Sequence, residues 1–73
     1  MTKIKIVQNG IANLLPKYDI EVVRGKERGI IGECINAGQG WFVRVGGKEY
    51  HTTTLAEAGA LATERGLAYV FEV

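Results

Sequence analysis

The only histidine, His51, stands directly before the three threonines at 52–54, and this segment holds the residue types needed for nucleophilic chemistry. An imidazole activates a hydroxyl nucleophile when the two groups lie within hydrogen-bond reach. A threonine run before an apolar helical pattern is, however, typical of a strand end followed by a helix cap. We therefore favour the structural interpretation and predict no catalytic residue in this segment.

The other reactive side chains give no stronger pattern. The single cysteine, Cys34, lies between Glu33 and Ile35, which do not favour a thiolate, so we predict a small buried core residue. Glu21, Glu33 and Glu49 fall on different predicted strands without a spacing that singles out an acid–base pair. One histidine and one cysteine do not supply a metal cluster, and no glycine-rich loop opens a helix. We expect no enzyme activity, cofactor or metal.

Residues 20–34 carry the most informative pattern, in which hydrophobic residues are followed by glycines and a basic residue. Its members are Ile20, Val22, Gly25, Arg28, Gly29, Gly32 and Cys34. The segment resembles the KOW motif of SH3-like barrels in the transcription factor NusG and in several ribosomal proteins, with Cys34 standing where an aliphatic residue is usual. The resemblance covers this segment alone. It implies an SH3-like domain that binds RNA, ribosomal components or the transcription machinery.

The same resemblance directs attention to a predicted hairpin tip that carries Arg24, Lys26 and Arg28. Glycines at 25 and 29 permit a tight basic loop there. Glu27 offsets part of the charge, so a solvated loop without a partner is the alternative. We take the three basic residues as the first candidate partner-binding site.

A second candidate site consists of Trp41, Phe42 and Arg44 on one predicted strand. Adjacent residues of a strand point to opposite faces, so one aromatic ring belongs to the core and the other is a candidate for exposure. Tryptophan and arginine dominate interface hot spots, and aromatic rings with arginine also stack on bases. Burial under the predicted helix is the alternative for either ring.

The chain as a whole is similar to small phage-encoded proteins that bind a bacterial host enzyme and redirect it. The similarity lies in size, near-neutral charge and the lack of a catalytic set rather than in a residue motif. One such regulator, from a Xanthomonas phage, binds the N-terminal part of the β′ subunit of RNA polymerase, displaces the σ factor and acts as an antiterminator. The similarity implies a non-enzymatic inhibitor of transcription initiation; a KOW-like RNA- or DNA-binding module is the alternative.

Composition limits these possibilities further. The 73 residues carry nine Lys and Arg against eight Asp and Glu, a formal charge of +1, which gives no general attraction for a polyanion. A hydrophobic fraction of 47% with 23% charged residues is typical of one globular domain, here residues 1–73. The N-terminal apolar run is too short for a signal peptide, and no run is long enough to span a membrane. We expect a cytoplasmic monomer without a membrane partner.

Glycine-bounded alternation of apolar and polar residues predicts a meander of short strands. The predicted strands cover residues 3–8, 18–24, 30–35, 41–45, 48–51 and 67–73. The pair Gly46 and Gly47 predicts a tight hairpin turn. Residues 9–17 are predicted to form a connector in which Leu14 and Leu15 enter the core, with room for a single helical turn.

One helix is predicted over residues 55–65. Thr54 and Glu57 have the spacing of a capping box, and Gly66 suits the position after the last helical residue. Apolar residues recur at helical spacing between them. The predicted fold class is therefore α+β: a bent antiparallel sheet, or a partly open SH3-like barrel, of five or six short strands with one helix packed on it.

Overall fold

Alternating apolar and polar residues build five antiparallel strands, and a single helix follows them. The computed structural model describes residues 2–12 and 14–71. Its elements are β1 (Thr2–Ala12), β2 (Leu15–Arg24), β3 (Glu27–Asn36), β4 (Trp41–Val45), β5 (Lys48–Thr52) and α1 (Leu55–Phe71). Each strand pairs with the next in an open sheet of order β1-β2-β3-β4-β5. The predicted α+β class with an antiparallel sheet and one helix is confirmed.

Glycines shape the tight turns as the sequence predicts. Gly46 and Gly47 have φ angles of 62° and 78°, the left-handed region that a two-residue turn between β4 and β5 requires. Gly25, with φ of 58°, opens the turn between β2 and β3. Glycine adopts this backbone conformation at little steric cost. Gly29, the other glycine of the predicted basic loop, lies inside β3 rather than in the turn.

The core lies between one face of the sheet and the helix. Ile20, Cys34 and Val43 stand on three neighbouring strands and are fully buried. The helix contributes Ala58 and Ala62, which are also fully buried. In β4 the alternation is as predicted, since Val43 and Val45 point to the core while Arg44 between them is exposed. The small helical residues let the helix lie close to the sheet.

The helix begins where the sequence predicts and ends later. The amide of Glu57 donates to Oγ1 of Thr54 over 3.1 Å, so the predicted N-cap is confirmed. Gly66 is not a terminator, because it lies inside the helix and packs against Ile4 and Ile31. The predicted strand over residues 67–73 is wrong as far as Phe71, where the chain is helical; Glu72 and Val73 lie outside the described residues.

The predicted connector at residues 9–17 is also wrong, because most of it belongs to a long β1–β2 hairpin. Leu14 is 95% exposed and Leu15 is 36% exposed, so neither side chain is a core residue. β2 pairs with β3 only from Lys17 onward, and therefore the end of the β1–β2 hairpin projects beyond the sheet. Asn13, which the prediction included, lies outside the described residues.

The strands differ in length, and this leaves part of β3 with one neighbour. β3 pairs with β2 from Glu27 to Ile35, which is nearly all of its length. β4 pairs with β3 only from Gly32 to Asn36. Within residues 2–12 and 14–71, the first half of β3 therefore has a paired side toward β2 and an unpaired side. No helix among these residues is long and apolar enough to cross a lipid bilayer.

Candidate functional site on the open face of the sheet

The helix covers one face of the sheet, so the side chains on the opposite face are the candidates for contact with a partner. We call this surface the open face. Directly opposite residues of paired strands share a face. The register therefore places Asp19 of β2, Glu33 of β3, Arg44 of β4 and Glu49 of β5 in one row across the open face.

Arg44 is the centre of this row. Its Nε donates to Oε2 of Glu49 over 2.7 Å, and its Nη1 lies 3.5 Å from Oε1 of Glu33. The hydrogen bond and the charge of Glu49, with a smaller effect of Glu33, raise the pKa of Arg44. Two carboxylates thus offset the charge of this guanidinium, which weakens it as a contact for a polyanion.

A second group of polar contacts lies at the other end of the row. Asp19 is only 4% exposed, and its Oδ2 accepts from Nδ2 of Asn9 over 2.6 Å. Nζ of Lys17 lies 3.7 Å from an oxygen of both Asp19 and Glu33. The nearly buried carboxylate therefore has both a charged and a neutral partner, as buried charges require. Lys17 joins the two groups into one network.

A groove of about 650 Å³ runs beside this network. Its lining residues combine charged side chains with glycine and aliphatic residues: Asn9, Lys17, Asp19, Ile30, Ile31, Gly32, Glu33, Arg44, Val45, Gly46, Gly47, Lys48 and Glu49. Three lining residues are basic and three are acidic, so the groove has no net charge. Ile30, which is 65% exposed, gives it an apolar element. The groove suits a ligand that is neutral overall and partly apolar.

The aromatic pair of β4 is divided between the two faces, as the alternation predicts. Trp41 is half-buried on the helix side, where its ring centroid lies 5.8 Å from that of Tyr18. Phe42 is half-buried on the open face and packs edge-on against His51, with centroids 5.3 Å apart. Phe42 and Arg44 therefore share a surface, while Trp41 supports the core.

The predicted basic tip forms a separate surface at the β2–β3 turn. Arg24, Lys26 and Arg28 are all exposed. The guanidinium carbon of Arg24 lies 6.0 Å from the centroid of the Phe71 ring, so the end of the helix supports one side of the tip. Glu27 stands among the three basic residues, and the tip keeps a net positive charge.

The structure places Cys34 and His51 on opposite faces of the sheet. Cys34 is buried on the helix side, where burial and then the charge of Glu33 raise its pKa to about 11. His51 lies on the open face beside Phe42. Glu33 and Glu49 are connected by Arg44, which forms an ion pair with each of them, and Glu21 lies further along β2. Residues 2–12 and 14–71 contain no cluster of histidine, cysteine and carboxylate residues suited to a metal ion.

Sequence reasoning found Arg44 and missed the network that neutralises it. The signal was the odd-numbered charged residues of the predicted strands, namely Asp19, Glu33 and Glu49, together with Lys17 at the end of the predicted connector. Placing them in one row requires the cross-strand register, including a shift in pairing after Ile20. Such irregularities are not visible in the alternation of a single strand.

Comparison with known proteins adds no relative. No protein-family model, curated protein or solved structure matches the chain significantly.

Proposed function

We propose that this chain is a non-enzymatic regulator of phage type that binds host bacterial RNA polymerase and inhibits transcription initiation by displacing the σ factor, with antitermination as a second effect. The observation that supports a protein-binding role is the open face, where a groove without net charge lies between exposed polar residues and Ile30. The assignment to polymerase depends on the KOW-like segment and on the similarity to small phage regulators. The N-terminal region of β′ is the proposed contact, in the host cytoplasm.

A proposal about the fold accompanies the proposed function. We propose that the sheet is a partly open SH3-like barrel in which the helix fills the gap between the two edge strands. In support, α1 contacts both β1 and β5. Helix coverage of one face leaves the opposite face for a partner, an arrangement common for antiparallel sheets.

The test uses the intact chain with purified polymerase from Xanthomonas and from a distantly related bacterium. We expect co-migration with at least one polymerase in size-exclusion chromatography and loss of run-off transcript from a σ-dependent promoter. The double variant Phe42→Ala, Arg44→Ala should weaken both effects, because it removes side chains from the open face. Glu64→Ala, on the exposed side of the helix, is the matched control and should leave both unchanged. If the chain binds neither polymerase, the proposal is excluded.

A KOW-like nucleic-acid-binding role is the second candidate, and the exposed basic tip supports it. Binding of single-stranded RNA through Arg24, Lys26 and Arg28 should weaken steeply as salt increases, since each neutralised phosphate releases a counterion. An interface with apolar contacts should respond much less. Fluorescence anisotropy of an RNA oligonucleotide at about 50 and 200 mM salt distinguishes the two roles.

A further inference from the structure

We infer that the unpaired half of β3 is a docking edge for an extended segment of a partner protein, which adds a strand to the sheet inside the groove. The inference rests on the proposed protein-binding function and deepens it by naming the edge and the conformation of the partner. Its basis is the difference in length between β3 and β4, since β4 leaves β3 unpaired from Glu27 to Ile31.

The free backbone groups of this edge point away from β2, and Ile30 and Ile31 line the groove. Arg24 and Glu27 flank a two-residue turn, so they form the hydrogen-bonded pair that closes the hairpin. Alternation then directs the N–H and C=O groups of Arg28 and Ile30 away from β2. Among the described residues, no backbone or side-chain hydrogen bond reaches these groups from the groove side. An added strand pairs with such groups.

The space beside the edge fits a strand. Five residues of β3 span roughly 17 Å at about 3.3 Å per residue. Gly46 and Gly47 bound the groove at the β4–β5 turn and carry no side chain that would keep another backbone away. A strand lying here continues the line of β4 beyond its turn. The balance of basic and acidic lining residues favours a protein segment over a nucleic acid.

The other two edges are protected in the way that natural sheets usually protect them. β1 carries Lys3 and Lys5 and has an irregular register after Gln8. β5 is only five residues long and carries Lys48 and Glu49. β1 also exposes the aliphatic side chains of Val7 and Ile11, so exposure alone does not distinguish the edges. The β3 edge differs because Ile30 lies next to unpaired backbone groups and lines the groove. It is therefore the edge that a partner strand would use.

The first experiment selects unbiased linear octapeptides from a display library against the folded chain and follows the best peptide by NMR. Slowed hydrogen exchange at the amides of Arg28 and Ile30 on peptide binding supports the inference. It is overturned if no peptide is enriched, if the bound peptide protects β1 or β5 instead, or if an RNA oligonucleotide rather than a peptide gives this protection.

A pair of substitutions tests the backbone directly. Ile30→Pro removes the amide that faces the groove, whereas Ile30→Ala removes the same side chain and keeps the amide. We expect the proline variant to bind the selected peptide at least about tenfold more weakly than the alanine variant. Equal affinities of the two folded variants would overturn the inference. If the proline variant does not fold, the exchange measurement on the unmodified chain decides.

The same reagents separate this inference from the proposed function. If Ile30→Pro abolishes peptide binding and still inhibits polymerase, the docking edge is real but is not the polymerase contact. If the unmodified chain binds peptides at the β3 edge and no polymerase, the proposed function fails and the edge stands. If polymerase is inhibited and no peptide binds, the inference alone fails.

Discussion

At Gly32, β3 and β4 approach too closely to leave room for a side chain. A Cβ at this position would overlap the carbonyl oxygen of Arg44 and lie 3.1 Å from Cα of Val45. Since both neighbours are backbone atoms, β4 itself would have to move. We expect Gly32→Ala to lower the free energy of unfolding by on the order of 2–3 kcal/mol, measured by urea denaturation.

Gly59 provides the matched control for this substitution. It lies inside the helix, and a Cβ built there meets no atom within 4 Å. Gly59→Ala should therefore raise the free energy of unfolding by about 0.5–1 kcal/mol, because alanine loses less backbone entropy in a helix. Similar effects of the two substitutions would contradict the close approach of the strands at Gly32.

The buried thiol of Cys34 gives a prediction about pH. Burial, with the charge of Glu33, raises the pKa of Cys34 from 9.0 to about 11. Between these values the unfolded chain releases the thiol proton while the folded chain keeps it. The contribution of the protonated Cys34 thiol to the free energy of unfolding is therefore fully present below pH 9. It decreases by on the order of 2 kcal/mol as the pH rises toward 11.

Urea denaturation at intervals between pH 8 and about 11 measures this decrease. Cys34→Ala serves as the control, since it lacks the titrating group while the tyrosines and lysines still titrate. Its overall stability should be lower because of the lost side-chain volume, but its decrease over this pH range should be smaller. Parallel curves for the two proteins would show that the thiol does not contribute.

At the scale of the elements, the helix depends on small residues that face the sheet. Ala58 and Ala62 are fully buried, and Gly66 packs against Ile4 and Ile31. Ala62→Leu would force the helix away from the sheet and should destabilise the fold by about 1–3 kcal/mol. The thermal unfolding midpoint measures the effect.

Ala60, on the exposed side of the same helix, allows a direct comparison. Ala60→Leu makes the same chemical change without entering the core, so its effect should be within about 0.5 kcal/mol. If Ala62→Leu is as well tolerated as Ala60→Leu, the close packing of helix and sheet is incorrect.

The elements also show how far sequence reasoning reaches. The alternation in β4, the glycine pair at 46–47 and the cap at Thr54 were predictable, because each depends on residues close together in the chain. The end of the helix was not, because Gly66 is accommodated by contacts with Ile4 and Ile31, which are distant in sequence. Tertiary packing overrides the local preference of glycine for a helix terminus.

The same reason explains the errors in the β1–β2 hairpin and in the site. The hydrophobicity of Leu14 and Leu15 predicts burial, yet both lie beyond the part of the hairpin that β3 reaches, which begins at Lys17. Arg44 was predicted as a contact residue, and its partners Glu33 and Glu49 come from other strands. Hydrophobicity and charge type are local properties, whereas burial and neutralisation depend on strand length and register.

At the scale of the whole molecule, net charge is nearly zero and the basic tip is its most concentrated positive feature. Reversing the tip with Arg24→Glu, Lys26→Glu and Arg28→Glu should leave the fold intact, since Gly25, whose positive φ the turn requires, is retained. Binding to an acidic partner surface should weaken, mainly through a slower association rate. Surface plasmon resonance measures the rate, and a heteronuclear NMR spectrum verifies the fold.

Glu27→Gln is the control, because it changes the charge of the tip in the opposite direction. It removes a negative charge, so the tip becomes more positive while the turn is unaltered. It should accelerate association with the same partner. If the triple variant binds and inhibits as the unmodified chain does, the tip is not a contact. Phe42 and Arg44 on the open face would then be the better candidates.

The sequential strand order also has a consequence for how the chain folds. Every strand pairs with its neighbour in the chain, so each hairpin can form after closure of a short loop. The helix alone joins distant parts of the sequence, where Gly66 meets Ile4. The helix follows all five strands in the chain, so one face of the meander stays uncovered until the helix has been synthesised. A chain truncated before residue 55 would keep its strand pattern and expose that apolar face to aggregation.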